Sequence, residues 1–124
     1  EDLSRGLGDV YKRQVVGTDR KLMAAAANRL GEVGGGVTLW KDDAERALVE
    51  LPIAGLMSDS QAAEVANKAQ AIISAMIDCG CSLNNAYMQH TLLALVVIPE
   101  LRISDLGLVD VSRFELTEVI SPES

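Results

Sequence analysis

The sequence predicts an α+β fold, a layered α/β domain in which two main helices pack on a mostly antiparallel or mixed sheet. A length of 124 residues allows one hydrophobic core and is too short for two. Apolar residues recur with helical spacing in residues 18–31 and 60–79. The other apolar runs are short, rich in β-branched residues and interrupted by Gly or Pro, which is typical of strands joined by turns.

The first helix is predicted to begin after Thr18 or Asp19, either of which can cap it, and to end near Gly31. Val15–Gly17, just before it, is predicted to be the end of a strand. The apolar residues of the helix fall on one side, which should face the core: Leu22, Met23, Ala26 and Leu30.

A β-hairpin is predicted after this helix. Gly34–Gly36 should end the helix and lead into a strand over Val37–Lys41. A polar turn at Lys41–Asp43 then separates it from a returning strand over Arg46–Leu51.

The segment Leu51–Asp59, LPIAGLMSD, is predicted to be an apolar loop because Pro52 and Gly55 interrupt it. Ser58 or Asp59 should cap the helix that follows. Loops usually run over the wet protein surface, so an apolar loop must pack on its own core, on another domain or on a ligand.

The second main helix is predicted from about Ser60 to Cys79, with Gly80 as its C-cap. Glu64 and Lys68 lie four residues apart and should pair on its wet side. One face carries the apolar residues of the segment: Val65, Ala69, Ile72, Ile73 and Met76.

The last third is predicted to be mostly β. Thr91–Ile98 is apolar and branched, which indicates a strand buried on both faces, although Met88–Leu92 is also compatible with a short helix. Leu101–Ser104 and Phe114–Ile120 are predicted as further strands, with a turn near Gly107 between them.

Composition excludes several classes of protein. The net charge of −7 and the scattered basic residues argue against a nucleic-acid surface. The longest apolar run, Leu92–Ile98, is far shorter than the ~20 residues that cross a bilayer, and no signal peptide is apparent, so a cytoplasmic location is expected. Cys79 and Cys81 are too close for an unstrained disulfide and are expected to be reduced thiols.

The chain offers little catalytic chemistry of its own. His90 is the only histidine, and its apolar context favours a structural or surface role over a metal ligand. Gly17–Asp19 has the strand-to-helix order of a phosphate loop but lacks the repeated glycines and the lysine. One histidine and no G-x-S-x-G motif leave a hydrolase triad without support.

Four segments together resemble a known family. They are Val15–Thr18 before a helix, Gly34–Gly36 before a strand, the loop Leu51–Asp59, and the Pro- and Gly-containing run Val96–Glu115. Their order and spacing resemble the C-terminal domain of bacterial adenine deaminases, which are metal-dependent amidohydrolases. The resemblance covers Val15 to about Ile120.

The resemblance implies that the chain is the C-terminal part of an enzyme that converts adenine and water to hypoxanthine and ammonia in purine salvage. The divalent metal of such an enzyme, manganese or iron, would be held by a catalytic barrel that precedes this chain in the same polypeptide. We therefore expect no catalytic residue, metal ligand or cofactor in this chain, and no activity from the chain alone. Its exposed apolar loops also favour a homo-oligomeric parent.

Met57, Ser58 and Asp59 are the candidates for a substrate loop or a domain interface. Lying at a helix N-terminus, they could face a neighbouring domain or a bound purine. Asp59 could instead be only a helix cap. A second interpretation of the whole chain is a non-catalytic ligand-binding or assembly module that uses the same loop. An upstream reading frame that encodes a barrel with an H-x-H motif would separate the two.

The two ends are predicted to lie outside the domain. Residues 1–14, EDLSRGLGDVYKRQ, are predicted to be a non-native leader, because they lack a periodic pattern and their ending resembles translated adapter sequence. Residues 15–120 then form the domain, and residues 121–124 form a tail.

Overall fold

The structure is a computed structural model that describes residues 14–93, 95–104 and 106–120. Within these ranges the chain forms three helices and two small antiparallel sheets, which confirms the predicted α+β class. The tail and nearly all of the predicted leader lie outside the described residues. In chain order the elements are α1 (Arg20–Val33), β1 (Gly36–Lys41), β2 (Ala44–Glu50), α2 (Ala62–Asp78), α3 (Ala86–Leu92), β3 (Leu101–Ser104), β4 (Gly107–Asp110) and β5 (Glu115–Thr117).

Helix α1 begins at the cap that its sequence predicts. Asp19 Oδ1 accepts hydrogen bonds from the backbone N–H groups of Lys21 and Leu22, at 2.8 and 2.9 Å. The predicted strand at Val15–Gly17 is wrong, because this segment has no regular structure. A strand requires a neighbour to pair with, and none of the described strands pairs with it.

The end of α1 depends on glycine. Gly34 has a left-handed φ of 82°, and the Gly35 N–H donates to the Leu30 carbonyl at 3.0 Å. Gly36 then begins β1 at φ 142°, where a Cβ would lie 1.9 Å from the Val49 carbonyl oxygen. The glycine run therefore ends the helix and also permits the close approach of β1 to β2.

The two strands of the hairpin lie between α1 and α2. The antiparallel register places one set of side chains on the face that packs on α2, where the core lies: Val37, Leu39, Ala47 and Val49. On the opposite face Glu45 Oε2 lies 3.4 Å from Arg29 Nε of α1. The expectation of two main helices packed on an antiparallel sheet is therefore confirmed.

Helix α2 supplies the other half of the core. Ile72 is completely buried and Ala75 nearly so, while Val65 and Met76 pack at the edge of the cluster. The predicted apolar face is thus confirmed, with Ala75 added to it. The Lys68 ammonium contacts two carboxylates, that of Glu64 at 3.1 Å, as predicted, and that of Glu50 on β2 at 2.7 Å.

The predicted strand at Thr91–Ile98 is wrong. Its first residues belong to α3, which confirms the short-helix alternative, and a chain of turns follows, with Leu95 donating to Leu92 and Ile98 to Leu95. So short an apolar run suits either structure, and none of the strands in the described ranges pairs with it.

The second sheet is formed by β3, β4 and β5 in chain order. The strand over Leu101–Ser104 is confirmed, whereas the one predicted at Phe114–Ile120 is reduced to β5 because Phe114 lies in a turn at φ 55°. Gly107 is the first residue of β4, a strand that lies where the sequence predicted only a turn. We call β3–β5 the C-terminal sheet.

Candidate functional site

The apolar loop between β2 and α2 folds into a miniature hairpin. Ile53 and Met57 exchange two backbone hydrogen bonds of 3.1 Å, and Ala54 and Gly55 between them adopt left-handed φ values of 57° and 69°. The Gly55 backbone is buried, but the apolar side chains around it are 45–59% exposed: Ile53, Leu56 and Met57. The backbone hydrogen bonds therefore define the shape of the loop, which presents its apolar side chains outward.

The three candidate residues follow from this hairpin into α2. Met57 closes the hairpin and is mostly exposed, Ser58 is half-buried, and Asp59 is exposed. Ser58 Oγ accepts a hydrogen bond of 3.1 Å from the Ser60 N–H, which forms a local turn. The structure therefore brings the three residues together at the rim of one exposed loop.

The predicted capping role of Ser58 and Asp59 is wrong. Helix α2 begins at Ala62 with Gln61 as its N-cap, and no side chain caps it. Ser58 and Asp59 lie too early in the chain, because a capping side chain reaches the N–H groups two or three residues beyond itself. Asp59 is thus a carboxylate without a capping function, beside a helix N-terminus that has no side-chain cap.

His90 lies on α3. The imidazole is half-buried, and this burial lowers the pKa of His90 and favours its neutral form. Within the described ranges, no three His, Cys, Asp or Glu residues are close enough together to hold a metal ion. The side chains described here therefore do not fit the divalent metal that the family resemblance implies.

A groove of the surface lies between the β1–β2 turn and the C-terminal half of α2, with a volume of about 420 Å³. Three of its charged side chains, those of Lys41, Asp42 and Arg46, already have partners. Lys41 Nζ donates to the Asp78 carbonyl at 2.8 Å, and Arg46 Nη2 lies 3.1 Å from Asp42 Oδ2. Cys79 lines the same groove as an exposed free thiol. The groove offers a ligand few unengaged polar groups.

The C-terminal sheet carries exposed apolar side chains that the sequence interpretation treated as parts of ordinary strands. Those more than half exposed define what we call the C-terminal apolar surface: Leu101, Ile103, Leu106, Phe114 and Leu116. The alternation of Leu101 and Ile103 with polar residues was visible in the sequence, but alternation indicates only which side chains share a face. It cannot show whether anything covers that face.

None of the helices in the described part of the chain is long and apolar enough to cross a membrane.

Both cysteines are free, as expected, and Cys81 is half-buried at the end of α2. Its N–H donates to the Met76 carbonyl at 3.0 Å and the Gly80 N–H to that of Ile77 at 2.8 Å, a Schellman ending that confirms the expected role of Gly80.

Comparison with known proteins shows high similarity to one kind of enzyme. The chain is 71% identical over 114 residues to an adenine deaminase of Ruegeria pomeroyi, 71% over 112 residues to adenine deaminase 1 of a Jannaschia species, and 42% over 115 residues to an adenine deaminase of Edwardsiella ictaluri. These matches cover 90–93% of this chain and 19–20% of each relative. The chain therefore spans about a fifth of the length of these relatives. No solved structure is significantly similar to it.

The family match covers most of the chain. Residues 8–115 match the family described as the adenine deaminase C-terminal domain. The match begins within the predicted leader, whose non-native character stays a prediction. It includes the hairpin Ile53–Met57, the candidates Ser58 and Asp59, and nearly the whole C-terminal sheet. The chain belongs to the adenine deaminase C-terminal domain family.

Proposed function

We propose that this chain is the C-terminal part of an adenine deaminase, which converts adenine and water to hypoxanthine and ammonia in purine salvage. The observation that carries the proposal is the family match over residues 8–115, together with relatives named adenine deaminase that are 71% identical. The whole enzyme is proposed to be a cytoplasmic homo-oligomer that uses a divalent metal, manganese or iron. Its ligands would belong to a catalytic barrel in the preceding part of the polypeptide.

In this proposal the chain contacts the catalytic domain and supplies no reacting group. The hairpin Ile53–Met57 presents apolar side chains that are about half exposed, and Asp59 beside it is not engaged as a cap. Such a projection suits contact with a catalytic domain at the entrance of its active site. An exposed apolar loop favours this domain interface over burial in the domain's own core.

The first test compares the whole enzyme with the isolated chain. The complete polypeptide should release ammonia from adenine when loaded with manganese or iron, whereas residues 15–120 alone should release none with either metal. Metal-dependent turnover by the isolated domain would contradict the assignment of the chemistry to the preceding part. A complete polypeptide without adenine turnover would contradict the proposed substrate.

The second test concerns Asp59. Because its carboxylate caps no helix, Asp59→Ala should leave the free energy of unfolding within about 0.5 kcal/mol of the original value. If Asp59 contributes to closure over the substrate, kcat/KM of the whole enzyme should fall about tenfold or more, equivalent to ~1.4 kcal/mol of transition-state stabilisation. Asp19→Ala is the matched control, and should destabilise the fold by about 1 kcal/mol through loss of the α1 cap with kcat/KM unchanged. An unchanged kcat/KM for Asp59→Ala would remove Asp59 from the interface.

A further inference from the structure

Within the part of the chain that the structure describes, several apolar side chains of the C-terminal sheet have no cover. Its strands contain four, four and three residues, and their main contacts are with one another. Three short strands gain independent stability only when an apolar face is packed against another element. Here the exposed fraction is 78% for Ile103 on β3 and 56% for Leu116 on β5.

These exposed side chains lie on both faces of the sheet. The register pairs Ile103 with Leu108 and Arg102 with Val109, and Val109 in turn with Leu116. Because neighbouring strands place paired residues on the same side, Ile103 lies on one face and Leu116 on the other. The turn at the end of β4 adds Phe114, which is 87% exposed. The sheet therefore resembles one that lies between two other surfaces, with an apolar contact on each face.

One polar side chain of this sheet, that of Arg102, also has a nitrogen without a hydrogen-bond acceptor in the described structure. Arg102 donates from Nη1 to the Leu101 carbonyl at 2.8 Å and from Nη2 to the Pro99 carbonyl at 2.9 Å. Its Nε is buried and has no acceptor in the described structure. A buried donor without an acceptor carries a free-energy penalty, so its environment is unfavourable as it stands.

We propose that the C-terminal apolar surface is the interface through which this domain docks on the preceding part of its own polypeptide. This inference rests on the proposed function only in requiring a longer parent chain. The aligned 114 residues are 19% of the Ruegeria relative, which is therefore about 600 residues long, and the family is described as a C-terminal domain. The preceding part is large enough for several domains of typical size.

A second copy of this chain fits the surface less well. A two-fold dimer buries one patch that is the same on both subunits, and it would cover one face of the sheet. The exposed residues Ile103 and Leu116 lie on opposite faces, so one such contact would leave the other apolar face in water. A large preceding segment of the same polypeptide can cover both faces at once.

Thiol accessibility in the full-length enzyme tests this interface. Cys79 and Cys81 are first replaced by serine, and single cysteines are then introduced as Ile103→Cys and Phe114→Cys. The matched control is Asn67→Cys, on the exposed polar side of α2. Labelling rates with a maleimide are measured on the undissociated enzyme and again on monomeric protein at high dilution. Hydroxyl-radical footprinting of Phe114 in the unsubstituted enzyme provides a readout that needs no variant.

We expect labelling at positions 103 and 114 to be at least about tenfold slower than at position 67, because a covered thiol reacts only through local opening. Phe114 should be protected in the footprint to a similar degree. Labelling as fast as the control, or an unprotected Phe114, would overturn the proposal. Protection that disappears when the enzyme dissociates to monomers would assign the surface to a second copy and also overturn it. Loss of adenine turnover with the protection intact would affect only the proposed function.

Discussion

The α1–α2 half of the chain and the C-terminal sheet contain the same types of apolar residue in opposite environments. In the first half Ile72 is 0% and Val49 2% exposed, because α2 packs on the β1–β2 hairpin. In the sheet Ile103 and Phe114 are 78% and 87% exposed. Burial in a core therefore depends on whether a segment has a partner layer, and not on its composition. The first half contains its own partner layers, whereas the described residues leave these side chains of the C-terminal sheet exposed.

The largest expected effect comes from truncating the same residue type in the two regions. Ile72→Ala should lower the free energy of unfolding of this chain by about 4 kcal/mol, because it leaves a cavity in an enclosed core. Ile103→Ala should change it by less than about 0.5 kcal/mol, since the side chain is exposed. Urea unfolding of both variants measures the difference. Similar losses for the two would show that the sheet already has a hidden cover within this chain.

Two glycines that begin strands allow a sharper comparison. Gly36 and Gly107 have φ values of 142° and 130°, but only a Cβ at Gly36 would collide with a backbone carbonyl. Gly36→Ala should therefore destabilise the fold by about 3 kcal/mol through strain and overlap together. Gly107→Ala should cost about 1 kcal/mol from its φ alone. Thermal unfolding followed by circular dichroism compares them, and equal shifts in Tm would mean that the approach of β1 to β2 can relax.

The smallest effect concerns ion pairs. The hydrogen bond from Lys68 lowers the pKa of Glu50 below its usual 4.5, so the pair stabilises the folded state above that pH and its contribution disappears as the pH falls through the lowered pKa. Glu50→Gln should lower the free energy of unfolding by less than about 1 kcal/mol at pH 7, because solvent screens this half-exposed carboxylate. It should also make the free energy of unfolding less dependent on pH at acidic pH.

The matched control for Glu50 lies in the C-terminal sheet. Glu115 is paired with Arg113 at 2.6 Å, on side chains that are 47% and 68% exposed. Glu115→Gln should have an even smaller effect on the free energy of unfolding at pH 7, since greater exposure weakens the pair. Urea titrations of both variants between pH 3 and 7 check this order. A larger loss of unfolding free energy for Glu115→Gln than for Glu50→Gln would contradict it.

Prediction from sequence succeeded where local chemistry decides the structure. Asp19 as a cap, Gly34 as a helix end and the polar turn at Asp42 and Asp43 depend only on side chains and φ angles within a few residues. It failed for the strand at Thr91–Ile98 and for the α2 cap. A strand needs a distant neighbour, and the first turn of α2 begins later than the turn around Ser58 suggested.

The candidate site was predicted in part. The loop Leu51–Asp59 was expected to be apolar and shaped, and the structure adds that its hairpin points the apolar side chains outward. The C-terminal apolar surface was missed. Its residues look like core residues in a sequence. They are exposed because no other described segment covers them, and no local pattern encodes whether a face is covered.

The sequence by itself determined the α+β class, the two main helices and the buried face of α2, because periodicity reports which side chains share a face. The predicted apolar side of α1 is only half-buried, and no residue of α1 is fully buried. It also carried the family resemblance that the match over residues 8–115 confirms. Only the tertiary structure decided that α1 and α2 lie on opposite sides of the β1–β2 hairpin, and that the C-terminal sheet stays uncovered within the described chain. Both depend on contacts between segments far apart in the chain, and the free energy of such contacts depends on which surfaces meet.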